Sequence, residues 1–109
     1  MNAEIVVRFV REGFHRWEGA PEHRAYLAQR HRHLFHIEAA LEVFADDREI
    51  EFHDFLDFCK ARFPSGEFDG QSCEMLARGL LEHITRQYPN RRVSVAVFED
   101  GEVGASVTG

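Results

Sequence analysis

Excess positive charge, paired cysteines and long apolar runs are all missing from this sequence, and each absence closes off a class of protein. Cys59 and Cys73 are the only cysteines, far apart and without a Cys-x-x-Cys spacing, so neither a disulfide framework nor a thiolate zinc site is indicated. A reducing, cytoplasmic setting is the expectation. Nineteen acidic residues against thirteen basic ones leave a net charge of −6, which removes the bulk attraction to phosphate backbones, so nucleic acid is not an expected partner. No apolar run approaches the ~20 residues a bilayer span needs, and the segment from Met1 to Val10 is interrupted by Glu4 and Arg8. Neither a signal peptide nor membrane association is expected.

What is present is enough apolar material, 44% of 109 residues, for one core and therefore one domain over residues 1–109. Ten phenylalanines dominate the aromatic content, and a domain this small buries only part of them alone, so some apolar surface is expected at subunit contacts. Ala3 to Phe9 reads as a first strand with Ile5, Val7 and Phe9 on one face. Arg11 to Arg30, with Gly13, Gly19 and Pro21 among charged residues, shows no sustained period and reads as a long loop. Loops of that length in compact domains usually do something.

His31 to Phe44 alternates: His31, His33, Phe35, Ile37, Ala39, Leu41 and Val43 share one face, and Arg32, His36, Glu38 and Glu42 the other. That predicts a long, half-buried second strand. After the Asp46-Asp47 turn, Phe52, Phe55, Leu56, Cys59 and Phe63 recur at helical spacing until Pro64-Ser65-Gly66 stops them. A second helix opens at Ser72 as N-cap, carries Leu76, Leu80, Leu81, Ile84 and Tyr88 on its apolar face, and ends at Pro89-Asn90. Val93 to Phe98 and Glu102 to Thr108 read as two strands joined by a tight turn at Asp100-Gly101. The order ββααββ predicts an α+β fold: a four-stranded antiparallel sheet with both helices on one face.

Seven histidines occur, and two of them stand at i and i+2 on a predicted strand. His31 and His33 therefore point to the same side, close enough for two imidazoles to meet at the ~2.0 to 2.1 Å of Zn–N bonds. His15, just past the first strand, is placed to supply a third ligand if strands one and two pair. Three histidines with an open position are the donor set of catalytic zinc. His36 lies on the opposite strand face, His53 and His83 fall in helices, and His23 in the loop is the spare.

These residues resemble the 6-pyruvoyl-tetrahydropterin synthase and 6-carboxytetrahydropterin synthase family, whose members share the T-fold. His15-Arg16-Trp17-Glu18-Gly19-Ala20-Pro21 and Arg30-His31-Arg32-His33 look like the family's first-strand histidine, its loop, and the His-x-His that opens its second strand. Gln71-Ser72-Cys73-Glu74-Met75-Leu76-Ala77 is similar to the family's opening of the second helix, and Glu99 corresponds to the glutamate that ends its third strand. The resemblance implies a zinc ion on His15, His31 and His33, a pterin or purine-like ligand held by Glu99 and Glu74, and trimers or hexamers of the chain. If active, the protein would then be a zinc-dependent lyase acting on a dihydroneopterin-type compound. A carboxylate suits the ring-holding role, because it accepts two parallel hydrogen bonds from a ring N–H and an amino group.

The departures concern proton transfer. Leu27 stands where the family has its cysteine, four residues before the His-x-His, and Gly70 follows Asp69 where the family has Asp-His. Glu22, His23 and Asp69 are the remaining candidates for moving protons, while Cys73 is expected to pack in a helix. The alternative implied is a zinc- and pterin- or purine-binding T-fold module with altered or absent catalysis.

Overall fold

The computed structural model describes residues 3–109. The element order is β1 (Ala3–His15), a 3₁₀ segment (Glu22–Ala28), β2 (His31–Val43), α1 (Phe52–Arg62), β3 (Gly66–Asp69), α2 (Cys73–Gln87), β4 (Val93–Glu99) and β5 (Val103–Thr108). The strands form one sheet in the order β3-β1-β2-β4-β5. All neighbouring pairs are antiparallel except β1 with β3, which is parallel. The sheet is thus five-stranded and mixed where the sequence predicts four antiparallel strands. Four residues between Pro64 and Gly70 are too few to show a period, so β3 leaves no pattern to read.

β1 is also longer than predicted, continuing through the charged stretch to His15, and it pairs with β2 along its whole length. Arg11 and Gly13 break the apolar pattern for local reasons. Arg11 donates from Nε to the carbonyl of Phe63 at 2.8 Å and from Nη2 to that of Lys60 at 3.3 Å, supplying donors and a positive charge at the C-terminal end of α1. Gly13 lies beneath the ring of Phe68 from β3, which would stand 2.1 Å from a Cβ built there. A segment that reads as loop by composition is therefore strand by tertiary contact.

The odd-numbered residues of β1 and β2 face the helices. Val7, Phe9, Phe35, Ile37, Ala39 and Leu41 join Val93, Val95 and Val97 of β4 in one buried cluster with Phe55 and Cys59 of α1 and Leu76, Ala77, Leu80, Leu81 and Ile84 of α2. Both helices lie on this face, as predicted, and Ser72 caps α2 by accepting from the Met75 N–H at 3.2 Å through Oγ. The inner face changes character toward the open end of β1 and β2, where the apolar rows give way to His15, His31 and His33.

Gly13→Ala tests the extension of β1: the added methyl should clash with Phe68 and destabilise the fold by about 1–3 kcal/mol. Denaturant unfolding checks this, and an unchanged midpoint would mean that β3 does not dock on β1 as described.

Candidate metal centre

The β1–β2 register sets His15 directly opposite His31, with Gly13 opposite His33, so three imidazoles gather on the inner face of two adjacent strands. Their rings meet edge to face at centroid separations of 4.5 Å for His15 with His31, 4.9 Å for His31 with His33 and 5.3 Å for His15 with His33. One nitrogen from each lies within 4.8 Å of the others. His15 is buried, while His31 and His33 are half-buried.

The second nitrogen of each ring is engaged. Nδ1 of His15 is 2.9 Å from the Gln71 carbonyl oxygen, Nδ1 of His31 is 2.8 Å from that of Gln29, and Nδ1 of His33 is 2.7 Å from Oδ2 of Asp100. Each of these acceptors calls for an Nδ1–H, which leaves Nε2 as the metal-binding atom on all three rings. Nε2 of His33 is buried without a hydrogen-bond partner, an orphaned polar atom that a metal ion would satisfy. Beside it, the Glu99 carboxylate has one oxygen 2.9 Å from Nε2 of His15 and the other 3.7 Å from Nε2 of His33. Both nitrogens of His15 therefore face acceptors. A cation between Nε2 and the carboxylate would satisfy both, and the donor set fits zinc, which takes imidazole nitrogen in three-histidine sites.

A cleft of about 470 Å³ opens onto this cluster, within the usual range for small-molecule sites. His15, His31, Glu99, Gln71 and Glu74 line it, and Trp17 and Met75 add apolar surface. Glu74 sits in the first turn of α2, where the helix N-terminus favours a carboxylate. The loop of residues 16–30 is closed by the Trp17 N–H donating to the Leu27 carbonyl at 2.8 Å, which brings Leu27 to the cleft wall. Gly70 reaches the same wall, because β3 delivers the chain to the start of α2 there.

The remaining sequence candidates lie elsewhere. Glu22 and His23 are exposed in the 3₁₀ segment, Asp69 is exposed at the end of β3 with a φ of 52°, and none of the three lines the cleft. Two participants have no motif to announce them. The Gln71 carbonyl is a backbone atom, which no side-chain pattern can reveal. Asp100 reads as a turn residue, and its link to His33 depends on the β2–β4 register that sets Phe35 opposite Glu99. Its carboxyl is held below the usual range, chiefly by the Leu34 N–H and then by His33. Cys73 lines the cleft, but burial with Glu99 and Glu74 nearby pushes its thiol up to about 12, and burial does the same to Cys59.

No protein-family model matches the chain, and no curated relative is found. Solved structures do match, and over nearly the full length of both partners. The fold is that of the 6-pyruvoyl tetrahydropterin synthases. The Plasmodium falciparum 6-pyruvoyl tetrahydropterin synthase superposes with a TM-score of 0.72 at 13% identity, covering 99% of this chain and 98% of its own. A Plasmodium vivax 6-pyruvoyltetrahydropterin synthase carrying a catalytic-residue substitution of glutamate by alanine gives 0.71 at 11% identity, over 100% and 98%. The Caenorhabditis elegans 6-pyruvoyl tetrahydropterin synthase gives 0.67 at 11% identity, over 100% and 96%. At such identities what is shared is the fold.

Raised thiol pKa values mean that thiolate forms only at high pH. Alkylation of Cys59 and Cys73 by iodoacetamide at pH 8 should run roughly 10³-fold slower than for free cysteine, with mass spectrometry as the readout. Rapid labelling of Cys73 would show an activated thiol in the cleft.

Proposed function

We propose that this chain is a zinc-dependent, tetrahydropterin-synthase-like protein that takes a dihydroneopterin-type compound into the cleft beside His15, His31 and His33. The observation carrying this assignment is the convergence of three imidazoles, each with Nδ1 already engaged, beside a cleft sized for a small ring system whose wall includes His15 and His31. Bound zinc would supply a Lewis acid for a substrate oxygen. Glu99 accepts from a ring N–H and amino group in place of its present contact with His15, and Glu74 offers a second carboxylate from the start of α2. Trp17 and Met75, both about half exposed, flank the space a ring would fill. Glu22, His23 and Asp69 serve in proton transfer only if an assembly brings them to a neighbouring cleft.

A second assignment, a zinc- and pterin- or purine-binding module with altered or absent turnover, is favoured by Leu27 and Gly70 in the cleft wall. General acid and base groups typically contribute 10² to 10⁴-fold, and neither residue can carry a proton. Metal analysis should find one zinc per chain, bound measurably but more weakly in His33→Ala, which keeps His15 and His31. Zinc-loaded protein incubated with 7,8-dihydroneopterin triphosphate should then consume it, as followed by chromatography. Binding without consumption would leave the module, and absence of both would sink the two together.

The chain is also proposed to act as a trimer or hexamer in the cytoplasm, a setting that suits two free, buried cysteines. Sheet-edge strands β3 and β5 are open to pairing, Val103 on β5 is 65% exposed, and Val6, Val10, Leu34 and Phe98 stand exposed on the helix-free face. Sedimentation should give a trimer or hexamer. A well-behaved monomer would count against assembly.

A further inference from the structure

We infer that Asp100 is a positioning residue of the metal centre, holding His33 in the tautomer and orientation that aim Nε2 at the ion and strengthening it as a donor through an adjacent negative charge. This rests on the zinc assignment above but assigns a role to a residue outside the ligand set. The Asp100 carboxylate is shared between two donors: Oδ2 is 2.7 Å from Nδ1 of His33, and Oδ1 accepts the Leu34 N–H at 2.9 Å. The Asp100 N–H in turn donates to the Leu34 carbonyl at 2.7 Å, so the β4–β5 turn is tied at three points to the two residues it must orient. His15 and His31 are held by neutral backbone carbonyls, which leaves Asp100 as the one charged partner of the three imidazoles on the Nδ1 side among the described residues. A carboxylate behind an imidazole both fixes which nitrogen carries the proton and raises the basicity of the other.

Backbone requirements do not by themselves explain an aspartate here. Asp100 has a φ of 55° and Gly101 one of 73°, and asparagine or glycine is as well suited to that turn. The Asp100→Asn substitution therefore preserves shape and backbone preference while removing the charge. Its amide oxygen can take one of the two donors well, but its NH₂ group cannot accept the other.

The experiment measures zinc affinity by competition with a chromophoric chelator in the full chain, together with the cobalt(II) absorption spectrum and the thermal midpoint of metal-free protein. D100N is expected to bind zinc about 10-fold more weakly, at the low end of the 10- to 100-fold range for such partners because the carboxylate is 47% exposed. The metal-free midpoint should fall only slightly, since water can replace the lost acceptor at this half-exposed turn, and the cobalt spectrum should shift. In a His33→Ala background the same substitution should add no further loss, since its effect passes through that ring. Equal zinc affinity in wild type and D100N, or an undiminished effect without His33, overturns the role of Asp100 and leaves the zinc site standing. A wild-type chain that binds no zinc overturns both. Should D100N fail to fold, D100G, which accepts the same turn, carries the same measurement.

Discussion

The pairing register of β1 with β2 is the constraint on which the candidate site depends. Side chains alternate with a period of two, so a slip of one residue would send His15 to the opposite face from His31 and His33. Register is fixed by apolar rows far from the histidines. Val7 and Phe9 must face the helices together with Ile37, Ala39 and Leu41, and the same alternation, carried along both strands, delivers the three imidazoles to one place. Core burial thus places a polar cluster that no local preference would assemble.

The electrostatics of that cluster follow from the end of β4. Glu99 and Asp100 are consecutive, yet they approach His33 from opposite sides of its ring, one near Nε2 and the other at Nδ1. This is possible because the strand ends between them and Asp100 turns into the left-handed region. Negative charge on both sides makes the pocket a favourable place for a cation among the imidazoles. With Glu74 at the head of α2, the cleft is acidic as well as metal-ready, which suits ligands rich in N–H donors.

Much of this was legible in the sequence, for physical reasons that differ from element to element. Alternation over His31 to Val43 showed β2 because one of its faces is buried from Phe35 to Val43, and α2 was visible from its cap at Ser72 to its leucine row because helix ends and helix faces both leave side-chain signatures. The histidine pair stood out because strand geometry makes i and i+2 neighbours in space. The outer half of β1 did not stand out. Arg11 is there to satisfy helix carbonyls and Gly13 to admit a phenylalanine ring, and both purposes belong to contacts more than 45 positions away. β3 was hidden by its brevity, and with it the parallel pairing that brings Gln71 under His15.

The contact between Gly13 and Phe68 binds two distant positions into one unit of inheritance. Space above the first exists only as the shape of the second, so neither can drift on its own. In diverging descendants of this chain a side chain gained at 13 should travel with a smaller residue at 68, leaving a covarying pair whose cause is neither catalysis nor ligand binding.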